Sequence, residues 1–284
     1  MNSNITIRQL EMGDLTFADQ VRALAGWNQT LCDWQRLLAY QPDGCFLALW
    51  NGQPAGTATA VHYGDRLGWI GMVLVHPDLR RRGIATALMQ QCMEFLTPRV
   101  ECIKLDATPD GQQVYERLGF QAEYALTRWQ HLTWQPILEQ HRCTPISQED
   151  WRDIATLDTP VFGVDRTRWL QLLARDSDTV HVVRNSNGRL VGYGMARSGV
   201  RAAYLGPVVA NTDAQAEAIV RTLLQHVTQD AVYWDVLDDN SAAVSVAARL
   251  GFTRQRPLLR MWHGTRPIIG MTARQWAIAG PSVG

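Results

Sequence analysis

Hydrophobic positions in the first half of the chain switch between a period of two and a period of about 3.6, and the switches divide it into elements. Ile5-Thr6-Ile7-Arg8 alternates as a strand does, while Phe17 to Leu24 and Cys32 to Tyr40 carry helical spacing, the second stopped by Pro42-Asp43-Gly44. Phe46 to Trp50 and Pro54 to Tyr63 then read as two strands joined at Asn51-Gly52, a dipeptide suited to a tight hairpin because both residues tolerate positive φ. Gly64-Asp65 turns the chain into a third apolar run, Trp69 to Val75. The pattern predicts a meander of antiparallel strands.

The stretch that organises the rest follows at once. His76-Pro77-Asp78 turns the chain, Arg80-Arg81-Arg82-Gly83-Ile84-Ala85-Thr86 forms a basic loop, and an amphipathic helix runs on to Leu96. A helix beginning here leaves its first N–H groups unpaired and presents the positive end of its dipole, so the site favours an anion. Gly83 permits positive φ and close backbone approach, small Ala85 and Thr86 leave room over the first turn, and the arginines add counter-charge. By itself the hexapeptide Arg80 to Ala85 also suits a solvated basic turn; the strand before it and the helix after it favour a phosphate cradle. Further on, Lys104 opens a strand and Thr108-Pro109 a helix, with the threonine hydroxyl as cap and proline at the first helical position. That helix carries Tyr115 and ends at Gly119.

Arg80-x-x-Gly83-x-Ala85 after a strand ending in Val-His-Pro resembles the acyl-CoA-binding motif of the GNAT superfamily of N-acyltransferases, and Tyr115 stands where many of these enzymes place the tyrosine that protonates the leaving thiolate. The resemblance implies that Met72, Val73, Leu74 and Val75 present backbone N–H groups to the thioester and pantetheine, and that Arg80, Arg81, Arg82, Gly83, Ile84, Ala85 and Thr86 hold the pyrophosphate. It also makes Trp27, Asn28 and Asp33 acceptor-site candidates, against a core position for Trp27 and a helix cap for Asp33. Many members carry a basic glutamate on the strand before the cradle, but Trp69 to Val75 contains no acid; Asp33, His62, His76 or a water chain remain as substitutes. Asp65 lies near the end of the same strand pair as His62.

The second half repeats the first. Asn51-Gly52-x-x-x-Gly56 recurs as Asn187-Gly188-x-x-x-Gly192, and Val73-Leu74-Val75-His76-Pro77 has a counterpart in Gly206-Pro207-Val208-Val209-Ala210. Leu118-Gly119-Phe120 returns as Leu250-Gly251-Phe252, and Arg128-Trp129 as Arg260-Met261-Trp262. Four echoes in order argue for two copies of one fold. The copy lacks the cradle: Asn211-Thr212-Asp213-Ala214-Gln215-Ala216-Glu217 has neither arginines nor glycine, and Ala247 replaces the tyrosine, although Asn240 matches an asparagine common in the family. The whole resembles bacterial tandem-GNAT proteins with a degenerate C-terminal domain.

The expected fold is therefore α/β (α+β), two tandem GNAT folds, each a mixed, mostly antiparallel twisted sheet flanked by helices. On the same resemblance, residues 1–130 are expected to form the acetyl-CoA-binding catalytic domain, closed by a last strand from Tyr124 to Trp129, with 131–144 as a linker and 145–284 as the degenerate domain. The 284 residues, 46% hydrophobic and 19% charged, suit two soluble domains. Equal numbers of basic and acidic residues, 27 each, give no overall field for nucleic acid or a membrane surface. No apolar run approaches the roughly 20 residues of a membrane span, and the start of the chain lacks a signal pattern, which points to the cytoplasm. Five cysteines without metal or disulfide spacing imply buried or free thiols and no metal.

What the resemblance implies is acetyl transfer from acetyl-CoA to a primary amine of a small molecule, by direct attack in a ternary complex with Tyr115 as acid. A protein lysine acetyltransferase and a non-catalytic acyl-CoA sensor are the alternatives. The second half is expected to wall the acceptor pocket, with Asp165, Arg166 and Arg168 as the polar residues to test, or else as a charged helix start.

Overall fold

The computed structural model describes residues 4–135 and 143–284. The first half runs β1 (Ile5–Gln9), α1 (Leu15–Leu24), α2 (Leu31–Tyr40), β2 (Cys45–Trp50), β3 (Gln53–Tyr63), β4 (Leu67–Val75), α3 (Ile84–Leu96), β5 (Cys102–Ala107), α4 (Pro109–Arg117) and β6 (Gln121–His131). The second half repeats the order as β7 (Cys143–Pro145), α5 (Trp151–Phe162), α6 (Thr167–Arg175), β8 (Thr179–Arg184), β9 (Leu190–Arg197), β10 (Ala203–Ala210), α7 (Asp213–Gln225), β11 (Val232–Leu237), α8 (Ser241–Arg249) and β12 (Thr253–Gly264). A short β13 (Gln275–Ala277) is added after it. Of the expected linker, His131 belongs to β6 and Cys143 and Thr144 to β7, while 136–142 lie outside the described residues.

Local chemistry accounts for these elements. Asn51 and Gly52 take φ of 50° and 80°, so that the turn follows the twist of β2 and β3. Strand period two divides each strand between two layers: Leu47, Val61, Tyr63 and Trp69 enter one core, and Phe46, Ala48, Ala60 and Ile70 the other. The first of these cores is common to both halves, with Trp34, Tyr40 and Trp69 packed among Phe162, Trp169 and Tyr193. On the opposite face the halves are closed separately, by α3 over Ile70 and Leu105 and by α7 over Val208 and Trp234. Among the described residues, no helix is long and apolar enough to cross a membrane.

The described strands form one thirteen-stranded sheet in the order β1-β2-β3-β4-β5-β12-β6-β11-β10-β9-β8-β7, with β13 beside β10. Here an expectation is corrected. The strand containing Tyr124 to Trp129 does not close the first half; β6 pairs with β11 and β12, and β12 takes the place beside β5. The last strands of the two halves are exchanged. Hydrophobic period identifies a strand but not its partner, and here each exchanged strand also sets a buried arginine opposite a carboxylate. Arg128 on β6 lies opposite Asp235 on β11 and grips it through Nε and Nη2 at 2.7 and 2.6 Å. Arg260 on β12 lies opposite Asp106 on β5 and grips it at 2.8 and 2.9 Å.

Each pair is buried, so removing one partner strands a charge in the interior. Asp235→Ala is expected to lower the unfolding free energy by about 3–5 kcal/mol, and Asp235→Ala with Arg128→Met to recover most of that loss; chemical denaturation of the three proteins checks it. The exchange predicts further that residues 1–135 and 143–284, produced as separate chains, lack a cooperative melting transition alone and regain one on mixing. Independent melting of either piece would contradict the shared sheet.

Candidate active site

The parallel strands β4 and β5 pair only where Leu67–Trp69 meet Cys102–Lys104, and then separate. At the point of separation the register between β3 and β4 slips between Thr57 and Thr59, leaving Met72 and Val73 without register partners on β3. Met72 takes φ of 51°, unusual for a residue with a Cβ, and the Thr57 hydroxyl holds the kink by donating to the Met72 carbonyl at 3.0 Å. The gap widens into a cavity of about 550 Å³. Its walls are Ile70, Met72 and Val73 of β4, Leu105 and Asp106 of β5, Thr108 and Tyr115, Arg256 and Leu258 of β12, Trp27 and Gln29, and Pro281-Ser282.

At the C-terminal end of β4 the chain reaches the basic loop. Gly83 stands at the N-cap of α3 with φ of 85°, Arg81 has φ of 60°, and no side chain caps the helix. The amides of the first turn are thus left to an outside acceptor. Arg80, Arg81 and Arg82 are exposed and make no ion pair among the described residues; Arg82 lies over the Trp50 ring at 5.4 Å. Ile84 is buried, anchoring the turn, while Ala85 and Thr86 remain partly open.

Tyr115 reaches the cavity from α4. Its ring lies against Gly111, where an added Cβ would come within 2.8 Å of Cε2 and 3.1 Å of the hydroxyl, so the glycine makes the ring's place. Burial pushes the phenol up to about 12, keeping it protonated at neutral pH. The helix ends as expected, with Gly119 at φ of 87° and the Phe120 amide donating to the Tyr115 carbonyl at 3.0 Å. Thr108 holds the N-cap position, but its hydroxyl makes no capping bond; it lines the cavity instead.

Of the other sequence candidates, Trp27 lines the same cavity as Tyr115. Asn28 and Asp33 border a second cavity of about 480 Å³, which shares Gln29, Pro281 and Ser282 with the first. The Asn28 oxygen accepts from the amides of Arg201 and Ala202 at 2.9 and 3.0 Å and its nitrogen donates to the Ala202 carbonyl at 2.9 Å, which pins the two halves together. Asp33 closes a capping box with Thr30 and accepts from Arg36 at 2.8 Å. Burial opposes its charge, but Arg197 and Arg36 overcome that and hold the carboxyl below its usual range. His62, Asp65 and His76 do not line the cavity of Tyr115; His62 Nδ1 meets the Gly64 carbonyl at 2.8 Å, and His76 lies 3.8 Å from Asp78. Asp165 accepts from the Thr167 amide at 2.8 Å, Arg166 is buried on Asp158, and Arg168 lies over the Tyr40 ring, all at a separate surface depression.

Sequence reasoning missed Asp106, Arg256, Gln29 and Pro281-Ser282. Asp106 and Arg256 stand in strands, where a lone charge reads as solvent-facing; the signal available was the repeat, in which Arg128 and Arg260 already corresponded. Asp106 is the one carboxylate among the described residues lining the cavity, and both of its oxygens are held by Arg260. Burial raises its pKa in spite of that arginine.

The second half has the same frame with each functional element changed. Gly56 faces Val75 and Gly192 faces Ala210, so β10 matches β4 two residues away from the alignment read from sequence. Its own irregularity falls between Leu205 and Val208, at Gly206-Pro207, where the proline supplies no N–H. The Thr212 hydroxyl caps α7 by accepting from the Gln215 amide, and Asp213 follows in the first turn. Ala247 replaces the tyrosine, its carbonyl accepting from Phe252 as that of Tyr115 does from Phe120. The cleft is filled from within: β13 pairs Ala277 with Val208 and Gln275 with Val209.

Comparison with known proteins agrees with the repeat. The family model "Acetyltransferase (GNAT) family" matches residues 6–120, and "Acetyltransferase (GNAT) domain" matches 154–276. The chain is 27% identical over 207 residues to the uncharacterized N-acetyltransferase YitH of Bacillus subtilis, covering 72% of each chain. It is 32% identical over 117 residues to acetyltransferase ECA0875 of Pectobacterium atrosepticum, 40% of this chain and 82% of that one. A solved structure from Pyrococcus horikoshii shares the fold with a TM-score of 0.87 at 23% identity, over 100% of this chain and 97% of the other. With a kinked β4, an uncapped α3 and two matched domains in one sheet, the chain belongs to the GNAT family of acyl-CoA-dependent N-acyltransferases, as a tandem of two GNAT domains.

Proposed function

We propose that the first half, residues 1–130, transfers an acetyl group from acetyl-CoA to a primary amine of a small molecule, and that the second half walls the acceptor side. The observation that carries this reading is the cavity at the Met72 kink, with Tyr115 on one side and the uncapped start of α3 further along the same strand. Pyrophosphate on the amides and arginines of 80–86 would fix the donor remotely, so that its binding energy orients the thioester. Backbone N–H groups of Met72 and Val73 would receive the thioester oxygen as it gains charge, a contribution on the order of 3 kcal/mol. The amine nitrogen attacks the thioester carbon, the carbon–sulfur bond breaks, and sulfur leaves as a thiol while the nitrogen loses a proton. Tyr115, protonated across the working range, is the acid in this exchange: it passes its proton to the departing sulfur, and the proton released by the nitrogen restores the phenol.

The enclosure of the cavity by Trp27, Arg256 and Pro281-Ser282 supports a small acceptor over a lysine on a protein surface. A second reading, an acyl-CoA sensor, draws on Asp106 being held by Arg260 and so unsuited to act as a free base.

Titration calorimetry and a thiol-release assay over an amine panel separate these readings. Acetyl-CoA is expected to bind, and Arg80→Ala with Gly83→Val to abolish binding; binding without release for any amine would select the sensor. Tyr115→Phe is expected to lower kcat about 100-fold with acetyl-CoA affinity unchanged; equal turnover would remove Tyr115 from the mechanism. Because the phenol is pushed up to about 12, the wild-type pH profile should rise as the amine deprotonates and show no descending limb from Tyr115 below pH of about 10. Gly111→Ala, which displaces the ring, should reproduce the loss seen in Tyr115→Phe.

A further inference from the structure

The exchanged strands break their own symmetry at one position, and the break faces the active-site cavity. Arg260 on β12 lies opposite Tyr124 on β6, whose hydroxyl accepts a hydrogen bond from it. In the other copy of this arrangement Arg128 on β6 lies opposite Arg256 on β12, one guanidinium facing another. The neighbouring anion is already committed: both oxygens of Asp235 are held by Arg128, and the Tyr204 hydroxyl donates to it at 2.9 Å. Arg256 makes no ion pair among the described residues, and its Nε is buried without a hydrogen-bond partner. Burial and the charge of Arg128 lower its pKa to about 10.

Like charges directly opposite in a sheet destabilise it, and a buried unpaired donor costs more. The equivalent position of the other copy holds Tyr124, so the frame accommodates an uncharged residue where Arg256 stands. The register slips between Arg254 and Arg256, and Arg256 lines the cavity that also holds Met72 and Tyr115. One further buried group there has no partner: Gln29 Oε1, an acceptor in want of an N–H.

We propose that Arg256 recognises the acceptor: the amine substrate carries an anionic group, a carboxylate or a phosphate, bound by Arg256, with its amino group offered to Gln29 Oε1 and the thioester. This rests on the acetyl-transfer reading above. The phosphates of the donor belong at α3, beyond the far end of β4, so they do not account for a cation on β12. The same charge has two consequences for the acceptor. It repels polyamines, and it favours the neutral form of the attacking amine, which eases the lack of a free carboxylate base.

The test compares matched amines that differ in the anion: glycine with glycinamide, 4-aminobutyrate with butylamine, 2-aminoethyl phosphate with ethanolamine, and spermidine as the polyamine. Transfer is measured by thiol release, and binding of the same compounds to CoA-saturated protein by calorimetry. At least one anionic amine is expected to exceed its neutral partner by about tenfold or more in kcat/KM, the discrimination of one charge-assisted contact. The carboxylate and phosphate pairs show which anion is recognised. Arg256→Gln should erase the preference, Arg256→Lys keep part of it, and neither should change acetyl-CoA affinity. The melting temperature of Arg256→Gln should hold or rise, because a half-buried charge facing Arg128 is removed and Asp235 keeps both bonds from Arg128. Equal or better use of the neutral amines or spermidine, a preference untouched by Arg256→Gln, or a variant defect confined to acetyl-CoA binding would each overturn the proposal. Anionic amines that bind through Arg256 without transfer would leave this subsite standing and remove acetyl transfer. If no anionic amine either binds or reacts, the subsite is overturned.

Discussion

Two buried arginine–aspartate pairs hold this molecule to its architecture. Arg128 with Asp235 and Arg260 with Asp106 join each exchanged strand to the half that it enters, and each charge depends on a residue from the other half of the chain. Hydrophobic burial alone would tolerate several strand orders, because β6 and β12 are both suited to a central place in a sheet. An unpaired guanidinium in the interior tolerates very few. The same pairs set the walls of the cavity, since Asp106 and Arg256 line it from the strands that they connect.

The two halves show how one frame is kept while its chemistry is withdrawn. Positions that shape the backbone persist, such as Gly119 with Gly251 and the hairpin glycines Gly52 and Gly188, all at positive φ. The arginine loop with Gly83, and Tyr115, do not. In the second half α7 is capped by Thr212, Pro207 stands in the irregular stretch of β10, and β13 pairs beside that stretch. What the second half retains is the apolar surface that completes the core around Trp34, Trp69 and Trp169.

Much of this was legible in the sequence, for reasons that lie in particular residues. Asn51-Gly52 declares a hairpin because few dipeptides accept two positive φ values, and Gly83 after the arginines declares a helix start open to an anion. Tyr115 was singled out by the family resemblance, and its place on a helix ending at Gly119 was legible from the glycine. What escaped is non-local. No periodicity reports that β6 will pair with β12, and a charged residue within a strand reads as exposed until its partner, from the opposite half of the chain, is known. Asp106 was hidden for that reason, Arg256 because nothing in a strand pattern marks an arginine that faces a cavity, and β13 because a three-residue strand has no pattern of its own.

The exchange of β6 and β12 also bears on how the chain is made. As the polypeptide is synthesised from its N-terminus, β5 is complete long before β12, the strand that will cover its free edge and neutralise Asp106. Until then the first half exposes an unpaired strand edge beside a carboxylate without its arginine, the kind of surface that associates with other nascent chains. The first half therefore becomes a finished domain only when the second has been translated, so a truncated product would present the arginine loop without a stable sheet behind it. In this protein the degenerate copy is the last step in the assembly of the intact one.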